Sequence, residues 1–463
     1  MIRIKYILLF CFITPLAIAQ QLQPEQLSFD EYLGYLKKYH PLVRQANLEI
    51  SSAQAMLMEA RGAFDPKIEV DFNQKQFRDT EYYSLLNSSF KIPTWYGVEI
   101  KAGFDNSEGM YVNPQNTLPN SGLTSLGINV PLAQGLLINR RMADLRAAKV
   151  QVQLSDAERK LQATNVIYDA SIAYFNWKRA YNEVQLYRTY LDYAITRYDG
   201  ITKLIEAGDK PVIDSVEAGI TVKSRRLTLT EAELRLAKRR LELSNYLWID
   251  NIPVELDENI TPEEGLEATV ATSLNITEAF TGLPPLESHP RIVTMQSRID
   301  ILDIERRLKA NMLLPRLDIN YNYLSEPSQF DNYRFEDYKV GLNFSFPIFL
   351  RRERGSLRLT KLRILNEQLD LDLERVALKN KILAQQTEIE SLAEQRVIID
   401  ELVNNYNIML DSEERLFSFG ESSIFLINAR ENSVVDAKLS QINMQNRFLI
   451  SYAELFRALS NPD

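Results

Sequence analysis

From Ser356 to Phe419 the chain contains neither glycine nor proline, and from Met142 to Asp199 it again contains neither. A helix drawn through the longer run would be about 95 Å long at 1.5 Å per residue, far beyond the roughly 12-residue helix of an ordinary globular domain. Helices of that length need neighbours of equal length. In the first run Ala170, Ala173, Trp177, Ala180, Val184, Tyr187, Leu191, Ala194, Tyr198, Ile201 and Ile205 recur at spacings of three and four, the seam of a coiled coil. One side of that seam is mostly alanine, so the facing backbones approach closely. In the second run Leu392, Ile399, Leu402, Tyr406, Met409 and Leu416 keep the same rhythm and are expected to pack likewise.

The two runs belong to two copies of one plan. At an offset of 249 residues His40-Pro41 matches His289-Pro290, and Pro66-Lys67-Ile68-Glu69-Val70-Asp71-Phe72-Asn73 falls on Pro315-Arg316-Leu317-Asp318-Ile319-Asn320-Tyr321-Asn322. Leu126 to Pro131 resembles Leu342 to Pro347, and a glycine, Gly208 or Gly420, then closes each long helix. Pro211 and the pair Ser422-Ser423 start returning helices, expected over Val212 to Trp248 and Ile424 to Leu459. Each unit therefore reads helix, strands, long helix, turn, helix, and both turns must share one end of the molecule. Gly200 is read as a helix breaker, like Gly208. His40 and His289 are the only histidines; no Asp, Glu or His stands at i+3 or i+4 from either, so each is read as closing the helix break made by the following proline, not as a metal ligand.

The Pro-led segments have period two. Ile68, Val70 and Phe72 alternate with Lys67, Glu69, Asp71 and Asn73, as do Leu317, Ile319 and Tyr321 with Asp318, Asn320 and Asn322; Val98 to Phe104 and Val340 to Phe346 follow the same rule. One face is apolar and the other polar, the pattern of strands with lipid on one side and a water-filled lumen on the other. Aromatic residues among the strands (Trp95, Tyr96, Tyr321, Tyr338) and an Asn-, Gly- and Pro-rich loop from Asn106 to Gly122 favour that reading over a soluble sheet. A single chain offers four to six strands, the uncertain pair being the hairpin from Ser84 to Phe104. An open sheet edge in lipid leaves backbone groups unpaired, so the small number forces oligomerisation: three chains would close 12 strands with four each, or 18 with six.

Composition narrows the rest. Arg3 and Lys5, the apolar stretch from Tyr6 to Leu16 and Ala17-Ile18-Ala19 form a secretory signal with cleavage before Gln20. Cys11 is the only cysteine, and Phe10 before it argues against a lipid anchor, so the mature chain has no disulfide, thiolate site or cysteine nucleophile. No later stretch is apolar and long enough for a membrane-spanning helix. A net charge of −9, with Lys and Arg scattered along the helices, offers nucleic acid no basic patch. No Ser/His/Asp set, zinc spacing or phosphate loop supports an enzyme, and Met56 and Met58, at i and i+2, do not share a helix face that would bind soft metal.

This order of helix, strand pair and long hairpin, duplicated behind a signal peptide, resembles the TolC-like outer-membrane efflux protein family. The resemblance rests on Ser28-Phe29-Asp30-Glu31 and His40-Pro41, the Pro-led strands, Val130-Pro131-Leu132, and the turns Gly208-Asp209-Lys210-Pro211 and Gly420-Glu421-Ser422-Ser423. It implies a mainly helical homotrimer in which duplicated hairpins form an α-barrel capped by a transmembrane β-barrel. The barrel would sit in outer-membrane lipid of a Gram-negative cell and the helices would cross the periplasm. It further implies passive conduction in a tripartite efflux or type I secretion system, with a periplasmic adaptor and an inner-membrane pump as partners and no cofactor; a soluble coiled-coil adaptor is the alternative, disfavoured by the duplication. The expected segments are a signal peptide (1–19), first-copy helices (20–65), strands and loops (66–132) and hairpin (133–250), a linker with second-copy helices (251–314), then strands (315–350) and hairpin (351–463). The resemblance places adaptor contact at the two turns and a closed end just past the second. Acidic rings common there in the family would fall on Leu426 and Ala429, so that ring is missing, and Asn428, Arg430 and Glu431 are the polar candidates for a constriction. Pro66, Pro131, Pro315 and Pro347 are read, with the His-Pro pairs, as structural markers of the repeat.

Overall fold

A computed structural model describes residues 26–280, 282, 285–329 and 334–462; the signal peptide expected over 1–19, with Cys11, lies outside them. The Gly- and Pro-poor runs become two helices of 67 and 68 residues, α3 (Arg140–Glu206) and α7 (Arg351–Ser418). Each starts below a group of strands and ends at a glycine turn. The other helices, numbered along the chain, are α1 (Phe29–Tyr39), α2 (Pro41–Gly62), α4 (Ile213–Ser244), α5 (Leu266–Ser273), α6 (Pro290–Asn311) and α8 (Ile424–Leu459). Helix α4 stops at Ser244, short of the Trp248 expected from sequence; Trp248 instead begins a two-residue strand, its indole N–H donating 2.9 Å to the Asn245 carbonyl. Gly200 does not break α3, because a helical glycine costs only about 1 kcal/mol and packing along the helix outweighs it.

The strands are β1 (Gln26–Leu27), β2 (Lys67–Phe77), β3 (Thr80–Pro93), β4 (Glu99–Glu108), β5 (Leu123–Pro131), β6 (Trp248–Ile249), β7 (Ile252–Pro253), β8 (Thr261–Pro262), β9 (Arg316–Ser325) and β10 (Tyr338–Ser345). Six of them form one wholly antiparallel sheet in the order β10-β9-β5-β4-β3-β2, so the hairpin that the sequence left uncertain belongs to it. Its register keeps the two faces separate across the whole width. One cross-strand row reads Ile68, Phe90, Ala102, Leu126, Tyr323 and Tyr338; the next reads Lys67, Lys91, Lys101, Gly127, Asn322 and Lys339. A slip of one residue in any strand would mix them. The β3–β4 turn is anchored at the helix end of the sheet: Asn139 Nδ2, at the start of α3, donates 3.1 Å to the Trp95 carbonyl, and Arg141 pairs with Glu99 at 2.5 Å.

The main core girdles the middle of the molecule, where α1 and the linker between the copies wrap α3. Phe29 lies against Tyr174 and Phe175 at centroid distances of 5.2 and 5.1 Å, and the Tyr174 hydroxyl donates to the Leu27 carbonyl at 2.7 Å while accepting the Glu263 N–H at 3.1 Å. Strands β1 and β8 pair in parallel alongside.

Along the tube the helices lie side by side as α7-α8-α3-α4 toward the turns and α7-α6-α3-α2 toward the sheet. The α3 seam follows the spacing over most of its length, with Ala170, Ala173, Trp177, Ala180, Val184, Tyr187, Leu191, Ala194 and Ile201 all buried, but near the turn Tyr198 is 37% exposed and Ile205 only half-buried. The α7 seam is only partly the one expected. Leu371, Leu378, Ile382, Ile389, Leu392, Val403 and Leu410 are the apolar residues buried, and of those expected Leu392 is among them and Ile399 and Tyr406 are half-buried, while Leu402, Met409 and Leu416 are exposed. Helix α7 thus carries two apolar stripes, only one of which is used inside the chain. Nearer its start Leu362, Leu369, Val376 and Leu383 form a separate exposed row at heptad spacing, and α4 carries one at the opposite edge with Ile213, Ile220, Leu227, Leu234 and Leu241.

Candidate functional site

The two helix turns close in the same way. Gly208 and Gly420 adopt left-handed backbone conformations (φ +81° and +77°), the N–H of Asp209 reaches back to the Leu204 carbonyl at 2.9 Å, and the N–H of Glu421 reaches Leu416 at 2.9 Å. This is the glycine-ended helix cap, which satisfies carbonyls the helix leaves free. The turns pack together at one end of the molecule: Ile201, Ala218 and Ile424 bury one another with Phe417 beside them, and Lys210 Nζ lies 5.0 Å from the centre of the Phe417 ring. Ser423 caps α8 by accepting the Leu426 N–H at 3.4 Å, and the Ser422 hydroxyl donates to Glu413. Pro211 stands before α4 without a side-chain cap after it. Around the turns Phe419, Phe425 and Val212 leave large apolar surfaces exposed.

Two turns above the second cap, four helices meet on one carboxylate. Glu431 of α8 is 1% exposed and accepts from Arg197 of α3 at 2.5 Å and Arg225 of α4 at 3.2 Å. Arg197 also donates 3.2 Å to Asn428 and lies 3.7 Å from Glu414 of α7, while Arg225 donates 2.7 Å to Asn432. A buried carboxylate flanked by two guanidiniums is a clasp between the two hairpins: the pair holds together only while both partners stay, because a lone buried charge is far more costly than the pair. Of the three residues named from sequence, Asn428 and Glu431 therefore turn toward the first hairpin. Arg430 stands apart, half-exposed and 3.6 Å from Glu413. Leu426 and Ala429, where an acidic ring was sought, are exposed on α8.

Burial and a nearby carboxylate act on the clasp's surroundings. Tyr190, packed near Glu431, has its phenol pushed up to about 12, first by desolvation and then by the Glu431 charge. A second buried carboxylate farther along, Glu183, lies between Arg179 at 3.3 Å and Arg235 at 3.5 Å. Among the described residues no group of three or more His, Cys, Asp or Glu is placed to hold a metal.

The histidines are helix caps at the far end of the tube. His40 Nδ1 accepts the Leu42 N–H at 3.3 Å and His289 Nδ1 accepts the Arg291 N–H at 3.2 Å, with Pro41 and Pro290 as first helical residues. The two caps have the same backbone angles, φ −66° and ψ 131°. His289 Nε2 meets the Ala458 carbonyl at 3.0 Å, a contact that needs the proton on Nε2 and leaves Nδ1 free to accept. Burial lowers both imidazoles below the usual 6.5. Pro66, Pro131, Pro315 and Pro347 flank strand ends, where a missing N–H does least harm to the ladder.

A family model described as outer membrane efflux protein matches residues 34–247 and 285–461, the two copies with the linker left between them. The chain belongs to that family. The channel CmeC of Campylobacter jejuni shares its fold with a TM-score of 0.64 at 14% identity, over 93% of this chain and 85% of that one. MtrE of Neisseria gonorrhoeae, solved in its open state, gives 0.65 at 14% over 94% and 89%. VceC of Vibrio cholerae gives 0.65 at 13% over 93% and 96%. A comparison with curated protein sequences gave no match.

As an outer membrane efflux protein the chain is an exit duct of the outer membrane, with its helical part in the periplasm. None of the described helices is long and apolar enough to cross a membrane. Sequence reasoning missed Arg197 and Arg225, which reach Glu431 from more than 200 residues away. One signal was available: Ile424, Ile427, Glu431 and Val434 follow seam spacing, and a carboxylate at a seam position announces a buried charge in need of partners.

Proposed function

We propose that three copies of this chain form a passive conduit, without a catalytic step, that opens by releasing the Arg197–Glu431–Arg225 clasp when a periplasmic adaptor and its inner-membrane pump engage the turn end. One observation carries the reading. Sheet and helices stop at free edges on the same two sides, with β10 and α7 on one and β2 with α2 and α4 on the other, and both edge helices expose heptad stripes that only a neighbouring copy would cover.

The tip supports the choice of docking end. Phe419, Phe425 and Val212 surround Gly208, Asp209, Lys210, Pro211, Gly420, Glu421, Ser422 and Ser423, an apolar patch with a charged rim of the kind that takes a protein partner. The clasp supports the choice of switch, since α7 and α8 cannot swing away from α3 and α4 without exposing Glu431. Arg430, itself half-exposed and 3.6 Å from the buried Glu413, contributes less.

The test is conductance of purified, detergent-extracted trimer in planar bilayers. Wild type should conduct poorly, Glu431→Gln should raise conductance several-fold by leaving two guanidiniums uncompensated, and Arg430→Ala should raise it less. Unchanged conductance in Glu431→Gln would remove the clasp from gating. A monodisperse, fully helical monomer obtained without detergent would end the conduit reading itself.

A further inference from the structure

We infer that a cavity in the second copy, walled by Arg291, Lys381 and Arg457, binds organic anions that carry an apolar body, and that it opens into the duct. Only the second clause rests on the conduit reading above, because the cavity lies wholly within one chain.

Helices α3, α6, α7 and α8 leave a space of about 500 Å³ where the end of α8 meets the start of α6. Leu161, Ala377, Leu378 and Ala458 make part of its lining apolar, and three cations share the rest with Glu374. Arg291 is paired with Glu374 at 2.8 Å, and Arg457 with Glu454 at 2.7 Å. Arg457 is held in place by Tyr168, whose ring centre lies 4.0 Å from the guanidinium carbon and whose hydroxyl donates to Glu454. Lys381 makes no ion pair among the described residues, so it adds an uncompensated ammonium to the cavity wall. Burial first, and then the charge of Arg457, lower its pKa below the usual lysine value. An anion among the three would relieve that repulsion.

The duplication supplies a control. The same joint exists in the first copy, where the end of α4 meets the start of α2. His40 caps Leu42 there as His289 caps Arg291. The His40 ring bonds to the Asn245 backbone as that of His289 does to Ala458, so Arg457 falls on Ser244. Counting back from the two turn glycines, Lys381 falls on Asp169, while the buried Ile382, Ile389 and Leu392 fall on the buried Ala170, Trp177 and Ala180. The first copy thus builds the joint with leucine, serine and aspartate. Cations are not needed to hold it, and the three in the second copy serve something else.

The cavity opens on the side away from the core that girdles the molecule. On α7 the linker holds one face, with Glu287 paired to Arg375 at 3.1 Å and the Ala279 carbonyl accepting from Gln386 at 2.6 Å. Lys381 lies more than about 100° round the helix from both. On α3, helix α1 covers Ala170 and Tyr174, and Asn165, which lines the cavity, stands on the opposite face. Three girdles turned inward would fill the duct, so they belong outside and the cavity faces the lumen.

The ligand follows from the lining. A carboxylate or sulfonate head suits the cations with the Asn165 amide beside them, and an apolar body suits Leu161 and Leu378. Inorganic phosphate would find charge there but no use for the apolar wall.

The probe is naphthoate, followed by equilibrium dialysis against the intact, detergent-extracted trimer. Wild type should bind it saturably. Lys381→Gln, and Arg291→Leu with the residue of the first copy, should each weaken binding by about tenfold and leave the trimer intact. Neither naphthylmethylamine nor inorganic phosphate should displace it. Unchanged binding in both variants, or displacement by the amine, would overturn the site, and displacement by phosphate at equal concentration would overturn the apolar-bodied ligand. In planar bilayers Lys381→Glu should lower the chloride-to-potassium permeability ratio of the conducting trimer by about twofold. An unchanged ratio beside lost naphthoate binding would put the cavity outside the duct and overturn that clause alone. A chain that binds naphthoate but forms no trimer would sink the conduit reading and spare the site.

Discussion

The first copy puts four strands, β2 to β5, into the sheet where the second puts two, β9 and β10, yet both give the tube one long helix and one returning helix of similar length. The asymmetry falls where geometry tolerates it. A strand pair leaves and returns at the same end, so adding one keeps β5 pointed into α3 just as β10 points into α7. Nothing similar can be inserted in the helical part without moving one glycine turn away from the other, and the clasp on Glu431 requires both turns at one level. Two copies of a plan can therefore drift apart in the membrane and not at the tip.

The sharpest way to break that comparison is to damage the same kind of seam in each copy. Trp177 in α3 and Leu392 in α7 are each 1% exposed. Trp177→Ala should cost about 3–5 kcal/mol and Leu392→Ala about 2–5 kcal/mol. Thermal unfolding in detergent, followed by circular dichroism, should rank tryptophan first; a larger loss at Leu392 would show that the second copy, not the first, carries the core. A middle-sized effect is expected where small residues let helices approach. Ala180→Leu puts three extra carbons into the alanine side of the α3 seam and should cost about 1–3 kcal/mol, while the same change at an exposed position such as Ala429 should leave the melting temperature nearly unchanged.

Smaller still are the turns. An added Cβ at Gly208 or Gly420 would meet nothing within 4 Å, so only the left-handed backbone resists substitution. Gly208→Ala and Gly420→Ala should each lose about 1 kcal/mol, and equally, if the two caps are equivalent as their hydrogen bonds suggest. Unequal losses would mark one turn as strained by something other than its own backbone.

The smallest effect concerns acid. Both capping histidines have imidazoles lowered by burial, so the unfolded chain binds protons more readily than the folded one. Their contribution is complete above about pH 6.5 and is lost progressively as pH falls below it toward the lowered values, because a protonated Nδ1 no longer accepts the helix N–H. The melting temperature should drop through that window. Asparagine also caps helices but does not titrate, so His40→Asn/His289→Asn should flatten the histidine part of the dependence; an unchanged slope would exclude these two caps as its source.

What the sequence by itself determined is everything written in short-range order. The two long helices, the alanine side of the α3 seam, the glycine turns, the His-Pro caps and the alternating faces of the strands all follow from periods of two, three and four residues and from backbone preferences that act within a turn. The duplication was equally legible, since it is a comparison of the chain with itself. Only the tertiary structure decided which of the two stripes on α7 is buried, where α4 ends, that the first copy supplies four strands and not two, and that Glu431 is gripped by Arg197 and Arg225. Those outcomes depend on which of several equally apolar or equally charged surfaces comes to lie against which, and in a helix 68 residues long both stripes look alike until a neighbour has taken one of them.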